Sequence, residues 1–342
     1  MPIFRTAVVA EILEERPGLQ RLRVGFDDPE QAGDRAYCLT RMLGDVVVGD
    51  RVVVNTTAVE LGLGTGGWHV VHWNLSRDVV ELPGPDHVMK LRYTSLQIDA
   101  GTDELAHPEL PESLDGTPVV ACAVHSQVGV VVAALKHLAP TLSVGFVMTD
   151  GAALPLALSD LVADLRDRGL LDVTVTAGHA FGGDLEAVTV ASGLLLARHI
   201  GRCDVVVAGM GPGVVGTGSR YGTTTIEVGQ ILDTSACLGG RPVLCVRASD
   251  GDRRDRHRGV SHHTRTAAGL ARGGAWVAAV PPAAAELPGV MVRDVEAPSG
   301  EEVLAAAGLH VTTMGRGVAE DPMFFDAAAA AAAVAVDLLD HP

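Results

Sequence analysis

Lysine is nearly absent from this 342-residue sequence, which contains only Lys90 and Lys136 and has a formal net charge of −16. A protein that binds nucleic acid or a membrane surface in general needs a basic face to meet the negative phosphates. We therefore expect neither nucleic acid nor a membrane as a partner. The remaining basic charge is arginine, whose planar guanidinium suits bidentate binding of carboxylates or phosphates.

Cysteine is also sparse: there are five, and none lies in a Cys-x-x-Cys motif. Four lie in or beside apolar segments, which indicates reduced, mostly buried thiols rather than a disulfide framework. The N-terminal residues lack a basic segment followed by an apolar one, so we expect no signal peptide. No apolar run reaches the length of a membrane span, and residues 327–339 come closest. These absences predict a soluble cytoplasmic protein.

Residues 1–95 are predicted to form a small closed β-barrel domain. Short apolar or alternating runs separated by turns are typical of strands, and they occur at residues 5–13, 19–26, 45–55, 68–73 and 78–82. About six short strands in this length favour closure, because a barrel leaves few exposed edges. A further strand or strap is expected at residues 88–97. The predicted connection to the next domain is residues 96–116.

Residues 117–342 are predicted to form a Rossmann-like α/β domain with three layers. Strand-like and helix-like segments alternate, which is typical of a parallel sheet with helices on its faces. Asp184 is the expected N-cap of the third helix. The predicted strands are residues 118–124, 142–148, 172–177, 204–208, 242–246, 275–280 and 310–313, and the predicted helices are residues 128–138, 156–168, 185–199, 223–237 and 323–339.

A glycine-rich segment at residues 209–222 directly follows a predicted buried strand. Glycine is poor in helices and strands, but it permits tight turns and close approach of the backbone to a ligand. Ligands of parallel sheets bind at the carboxyl ends of the strands. We expect the backbone amides around Gly211, Gly213, Gly216 and Gly218 to hold an anion. Two other interpretations stay open: a tight turn without a ligand, and a dinucleotide site.

The dinucleotide interpretation is the weaker one, although Gly211, Gly213 and Gly216 form a literal G-x-G-x-x-G. More glycines follow before the helix begins, so a pyrophosphate would not meet the helix N-terminus. No acidic residue ends the next strand at the required spacing, and residues 62–67 match the same pattern by themselves. Hydride transfer with a nicotinamide cofactor is therefore less expected than hydrolysis or group transfer.

Six loops that follow predicted strands carry polar residues, and the carboxyl ends of parallel strands share one edge of a sheet. We therefore expect one polar cleft at that edge. Asp150 is interpreted as a base, a ligand-positioning carboxylate or a metal ligand, or as the cap of the next helix. A serine nucleophile at Ser126 is disfavoured because no G-x-S-x-G surrounds it. Besides the glycines, the candidate ligand-binding residues are His125, His179, Asp184, Ser219, Arg220, Arg247, Arg258 and Arg316.

Three histidines, His257, His262 and His263, lie within seven residues of one another. Adjacent side chains point in different directions on a strand or a helix, so we expect at most one of His262 and His263 to share a site with His257. The spacing matches no familiar zinc motif. The histidines are interpreted as acid–base residues, as hydrogen-bonding groups that hold a loop or, for His262, as a metal ligand together with Asp150 and Asp250.

Seven distinctive strings are residues 55–67 (NTTAVELGLGTGG), 90–97 (KLRYTSLQ), 147–155 (VMTDGAALP), 180–189 (AFGGDLEAVT), 211–218 (GPGVVGTG), 256–264 (RHRGVSHHT) and 313–317 (TMGRG). Together they resemble a bacterial family catalogued only as a domain of unknown function, number thirty-eight sixty-six. The resemblance runs nearly end to end. It implies a bacterial protein of this length, and it implies no activity and no catalytic residue.

These observations lead to a functional hypothesis: an enzyme, either a hydrolase or a group transferase, that acts on a small anionic metabolite. His262 or His257 would transfer protons, and Asp150 would orient the ligand or bind a metal. Arginines and glycine amides would hold the negative charge. The alternative is a non-catalytic ligand-binding or regulatory protein. The sequence is compatible with a homo-oligomer and specifies no cofactor.

Overall fold

A computed structural model describes residues 1–26, 34–64, 66–85, 88–151 and 155–341. The chain divides into two compact units, Met1–Gly101 and Thr102–Pro342. The first contains a closed five-stranded β-barrel, and the second contains an eight-stranded parallel sheet between two layers of helices. The predicted fold class, a small barrel followed by a Rossmann-like three-layer α/β domain, is confirmed. The boundary between the units lies inside the predicted connection, residues 96–116.

The barrel closes because its strands alternate between buried and outward-facing residues. Leu22 and Val24 are fully buried whereas Arg23 between them is exposed, which is the period-two pattern of a half-buried strand. The elements are β1 (Phe4–Arg16), β2 (Leu19–Phe26), β3 (Asp34–Cys38), α1 (Thr40–Leu43), β4 (Arg51–Asn55), α2 (Thr57–Glu60), β5 (Trp68–Asn74), β6 (Met89–Lys90) and β7 (Ile98–Asp99). The barrel order is β1-β2-β3-β5-β4, and β4 pairs back to β1.

Two of the strands expected in the first unit are absent. Residues 45–48 form no strand, because the Gln20 side chain satisfies both backbone groups of Val46: it accepts from the amide at 2.8 Å and donates to the carbonyl at 3.2 Å. Residues 78–82 form no strand either. Residues 88–97 contain only β6, which pairs with β7 in a short antiparallel ladder. Strand β3 was not predicted, because its charged residues Asp34 and Arg35 interrupt any apolar run.

The central strands of the parallel sheet in the second unit are buried on both faces. Every residue of the second sheet strand, Val144–Thr149, is buried, which explains why it reads as one continuous apolar run. The strands are β8 (Pro118–Cys122), β9 (Val144–Thr149), β10 (Val173–Ala177), β11 (Leu185–Ala187), β12 (Val205–Met210), β13 (Arg241–Leu244), β14 (Ala248–Ser249), β15 (Gly259–Val260), β16 (Ala275–Ala278) and β17 (Val290–Arg293). The sheet order is β11-β10-β9-β12-β8-β13-β16-β17, and β14 and β15 form a separate antiparallel pair.

Two layers of helices cover this sheet. The helices are α3 (His125–Leu138), α4 (Asp160–Asp167), α5 (Val190–His199), α6 (Glu227–Cys237), α7 (His262–Leu270), α8 (Gly300–Ala307) and α9 (Pro322–Asp340). Helices α3, α4, α8 and α9 pack in one core, and α5, α6 and α7 pack in the other. Short 3-10 turns are Asp103–Leu105, Leu156–Leu158, Thr224–Ile226, Asp255–His257 and Pro282–Glu286.

A topological switch point lies between the neighbouring strands β9 and β12. The chain leaves β9 toward β10 on one side, and it leaves β12 toward β13 on the other side. Loops that diverge in this way open a crevice at the carboxyl ends of the strands, where ligands of such sheets bind. The glycine segment follows β12, so it begins at this crevice.

Three expectations for the second unit need correction. Residues 185–187 form β11 instead of starting a helix, because they pair in parallel with β10. The following helix α5 begins after Thr189, whose side chain accepts from the amide of Ser192, so Asp184 is not its N-cap. Residues 310–313 form no strand. The elements α7, α8, β14, β15 and β17 were not predicted; Ser261, the N-cap of α7, was a usable signal.

Helix α9 is long and apolar enough to span a membrane by length and composition. Its most apolar window is 67% buried inside the protein, as in the core helix of a globular domain. Nine of the buried side chains between Phe324 and Leu338 are alanine or valine, which lets the helix pack closely against α3 and α8.

Candidate functional site

Three of the loops that were predicted to converge line one small cavity of about 160 Å³, which we call the Arg247 cavity. They are the glycine segment after β12, the loop after β13 and, through Met314, the loop before α9. A wider groove of about 710 Å³ shares Arg254 and Met314 with it. The polar lining among the described residues contains no carboxylate and consists of Gly216, Gly218, Arg247, Arg254, Arg256, His257 and His263.

Arg247 is the most unusual of these residues, because only 4% of it is exposed. Its Nη1 donates to Nδ1 of His263 at 3.2 Å. In the described part of the chain its guanidinium forms no ion pair with a carboxylate. Burial, and then the positive charge of Arg254, lowers the pKa of Arg247 to about 10. A buried charge without an ion-pair partner is costly, so this arginine requires an explanation.

The neighbouring arginines have their partners. Arg254 binds both carboxylate oxygens of Asp252, at 2.9 and 2.8 Å. Arg316 donates to Asp321 at 3.0 Å and to Asp252 at 3.4 Å. These contacts hold the pKa of Asp252 well below its usual range. Arg258 donates to the backbone carbonyl of Asp252 at 3.1 Å. Arg258 and Arg316, both predicted to bind ligand, therefore fix the loop that carries the cavity.

The three histidines form one cluster beside Arg247. His262 and His263 are the first residues of α7, and His257 ends the preceding 3-10 turn. The ring centroids lie 5.0 Å apart for His257 and His262, 4.9 Å for His257 and His263, and 4.2 Å for His262 and His263. The expectation that only one of the adjacent pair would share a site with His257 is wrong. The loop folds His257 back over the first turn of α7, where both rings reach it.

The protonation of the cluster follows from its surroundings. Burial, and then the positive charge of Arg247, lowers the pKa of His257 to about 4 and that of His263 to about 3. Burial and Arg256 lower the pKa of His262. All three imidazoles are consequently neutral at pH 7, and a neutral imidazole has a free lone pair that can accept a proton or bind a metal.

Hydrogen bonds fix two of the rings. Nδ1 of His257 lies 2.8 Å from Oγ of Ser261, and Nδ1 of His263 accepts from Arg247. Nε2 of His262 is buried and has no hydrogen-bond partner among the described residues. One nitrogen from each ring lies within 4.8 Å of one from each of the others, so the three histidines are the residues that could hold a metal here.

The glycine segment approaches this cluster closely. A β-carbon on Gly216 would lie 3.3 Å from Cε1 of His263, and Gly218 has φ of +85°, a region that favours glycine. Gly211 and Gly213 form the exit from β12, where φ of Gly213 is +121°. Ser219 closes the segment by accepting from the amide of Gly222 at 3.1 Å.

Arg220 is exposed, and its guanidinium lies 5.2 Å from the centroid of the Tyr221 ring. Unlike Gly216 and Gly218, Arg220 does not contribute to the described lining of the Arg247 cavity.

Asp150 belongs to a second cluster, at the switch point. Its Oδ2 accepts from the backbone amide of His179 at 3.2 Å, which joins the loops after β9 and β10. Glu227 at the start of α6 accepts from Thr149 Oγ1 at 2.8 Å. Burial, offset in part by that hydrogen bond, raises the pKa of Glu227 to about 6, and the charge of Asp150 adds to the rise. Sequence reasoning missed Glu227, and residues 152–154 of this loop lie outside the described residues.

The predicted metal set of Asp150, Asp250 and His262 does not come together in the described part of the chain. Asp250 lies against Asp321, and its backbone amide donates to that carboxylate at 3.0 Å. Asp150 contacts the amide of His179 instead. Asp150 and Asp250 are therefore occupied by contacts with backbone amides of the protein. The three histidines remain as the group that could bind a metal.

Two other predicted ligand residues are occupied by internal contacts. His125 bonds to the carbonyl of Met210 at 3.1 Å and to Oγ of Ser159 at 2.7 Å, so both ring nitrogens have partners. Burial lowers its pKa to about 4. Asp184 pairs with Arg166 and accepts from the amide of Thr174 at 2.9 Å. These contacts tie strands and helices together and use the groups that a ligand would need.

No curated protein and no solved structure matches this chain. One protein-family model does, over residues 35–332, and its description is protein of unknown function (DUF3866). This span covers the glycine segment, the histidine cluster and the loop that contains Met314. The chain therefore belongs to the DUF3866 family.

Proposed function

We propose that this protein binds a small anionic metabolite in the Arg247 cavity and that it is an enzyme, a hydrolase or a group transferase, for that metabolite. The observation that carries the proposal is Arg247 itself: a residue that is only 4% exposed, lines a cavity and has no ion pair with a carboxylate among the described residues. An anionic ligand would supply the missing partner.

The energetics support an anion in this place. Burying a charge is unfavourable unless it is paired and hydrogen-bonded. Arg254 is already neutralised by Asp252, so the net positive charge at the cavity comes from Arg247 and Arg256. A charge-assisted, bidentate contact to a phosphate or carboxylate is among the stronger hydrogen-bonded contacts in proteins.

The size of the cavity narrows the class of ligand. About 160 Å³ accommodates a phosphate or carboxylate group rather than a nucleotide, given that one water occupies roughly 30 Å³ of liquid. The adjoining groove of about 710 Å³ would take the remainder of a metabolite. The glycines beside the cavity allow the backbone to approach the anion.

Catalysis is supported by the neutral imidazoles beside the anion site. Nε2 of His262 has no hydrogen-bond partner in the described structure, so it is available to accept a proton. His257 is oriented through Nδ1 by Ser261, as acid–base histidines commonly are by a neighbouring group. Proton transfer is therefore assigned to His262 or His257, and Asp150 has no described contact with either.

Isothermal titration with inorganic phosphate and with acetate tests the binding half of the proposal. Arg247→Gln should weaken phosphate binding by about 10- to 100-fold, because a hydrogen bond to a charged group contributes roughly 1.5–3 kcal/mol. The exposed Arg272 gives the matched control Arg272→Gln, which should bind like the wild type. Equal phosphate affinity in Arg247→Gln and the wild type would overturn the proposal.

Turnover of phosphate and carboxylate esters tests the catalytic half. His262→Ala should keep phosphate binding, measured in metal-free buffer, and lose about 10²- to 10⁴-fold in rate, the usual contribution of an acid–base residue. A wild-type protein that binds anions but turns over none of these esters, with or without added metal, would contradict the enzyme assignment and favour a ligand-binding protein.

A further inference from the structure

We propose that His257, His262 and His263 form a binding site for a divalent transition-metal ion of the zinc type. One nitrogen from each ring already lies within 4.8 Å of one from each of the others. Three nitrogen ligands about 2.0–2.1 Å from a tetrahedral ion are roughly 3.3 Å apart. The rings therefore need to move by about an ångström to close around a metal.

His262 provides an independent reason to expect a ligand here. Its Nε2 is buried and has no hydrogen-bond partner in the described structure. An unsatisfied buried polar atom is uncommon and unfavourable in native proteins. No nitrogen of the neighbouring imidazoles forms a hydrogen bond with it in the described structure, whereas a metal ion would accept the lone pairs of all three rings at once.

The surroundings of His257 fit a metal ligand. Ser261 caps α7 through the amide of His263, and its hydroxyl also lies 2.8 Å from Nδ1 of His257. When the hydroxyl accepts from Nδ1–H, the lone pair of Nε2 is left for a metal. Outer hydrogen bonds of this kind fix the tautomer and orientation of histidine ligands.

The donor set selects the class of metal. Imidazole nitrogen suits zinc, copper, iron and nickel, whereas magnesium and calcium require oxygen ligands. The group consists of three imidazoles and no carboxylate. Three protein ligands leave a tetrahedral ion with one open position, which is the arrangement of catalytic rather than structural zinc sites.

Arg247 links this metal site to the anion. A guanidinium can only donate, so Nδ1 of His263 accepts the contact at 3.2 Å and the neutral ring carries its proton on Nε2. Coordination by His263 requires Arg247 to leave Nδ1, because Nδ1 must either bind the metal itself or, when Nε2 binds it, carry the ring proton. The released guanidinium would then face an anion on the open position of the metal. This coupling, unlike the metal site itself, rests on the proposed function.

Titration of the chelator-treated full-length chain with Co²⁺ tests the metal site, because the visible absorption of Co²⁺ reports its coordination and Zn²⁺ should displace it. We expect one ion per chain and no displacement by Mg²⁺. His262→Ala and His257→Gln should each weaken Co²⁺ binding by at least about 100-fold, since loss of outer-shell groups alone costs 10- to 100-fold. The exposed His310 supplies the control variant His310→Ala, which should bind normally.

The outcomes separate this inference from the proposed function. Failure of the wild type to bind Co²⁺, or equal affinity in His262→Ala and His310→Ala with both folded by circular dichroism, would overturn the metal site. Arg247→Gln should keep Co²⁺ binding in phosphate-free buffer but lose the tightening that phosphate causes in the wild type, because coupling between two ligands is reciprocal. If the wild type binds Co²⁺ but phosphate does not tighten this binding, the result would support the metal site and contradict the coupling between metal and anion.

Discussion

Replacing Arg247 by methionine should stabilise the ligand-free protein. Burial lowers the pKa of Arg247 from 12.5 to about 10, which corresponds to about 3 kcal/mol against the charged form in the folded state. The variant also loses the hydrogen bond to His263, which contributes about 1 kcal/mol. The expected net result is an increase of about 2 kcal/mol in the free energy of unfolding.

Urea unfolding followed by far-ultraviolet circular dichroism, in buffer free of phosphate and sulfate, measures this change. The longer helices, α3 to α9, all lie in Thr102–Pro342, so the signal reports mainly on that unit. Arg316→Met is the matched control. It removes the partner of the fully buried Asp321 and should destabilise by about 3 kcal/mol.

The reasoning would be refuted if Arg247→Met destabilised the protein as much as Arg316→Met does. That result would mean that Arg247 stabilises the fold as its neighbours do, and that its burial needs no bound anion to explain it. With phosphate present, the wild type should gain stability by mass action, and the Arg247→Met variant should gain none.

Three further expectations concern single residues. Because the pKa of Glu227 is raised from 4.5 to about 6, its proton stabilises the fold fully below pH 4.5, and this contribution of about 2 kcal/mol is lost as the pH rises through 6. Urea unfolding between pH 4.5 and 7 should show this loss as a change in the difference between the wild type and Glu227→Gln, because the buried histidines contribute the opposite slope to both proteins. Gly218→Ala should lower the free energy of unfolding by about 1–2 kcal/mol in thermal unfolding, because a φ of +85° is strained for a residue with a β-carbon. Unchanged stability would show that the backbone of the segment adjusts without strain. Asp184→Asn should lower the free energy of unfolding but leave phosphate affinity unchanged in calorimetry, since this carboxylate contacts Arg166 and Thr174. Weaker phosphate binding would indicate that Asp184 belongs to the binding site.

The architecture was largely predictable because periodicity is a local property. Apolar runs such as Val205–Met210, alternating with helical segments, indicated a parallel sheet, and the glycines after that run indicated a loop at its carboxyl edge. The predictions fail where strand pairing in the folded protein overrides the local sequence pattern. Residues 185–187 are helix-compatible by composition, yet they become a strand because β10 offers them a partner.

The site was predictable only in part, because its chemistry depends on which charges pair in three dimensions. Arg247 and Arg316 look alike in the sequence, but Asp321 neutralises one and no described carboxylate neutralises the other. Burial raises the pKa of Glu227, whose carboxylate contacts Thr149, a residue 78 positions away along the chain. No local signal reports such a contact.

A crystal structure of the protein grown with selenate, an anomalously scattering analogue of phosphate and sulfate, tests the central claim most directly. The account expects an anomalous peak in the Arg247 cavity, within hydrogen-bonding distance of the Arg247 guanidinium and beside Gly216 and Gly218. Selenate bound only at surface arginines, with Arg247 still directed solely at His263, would contradict it.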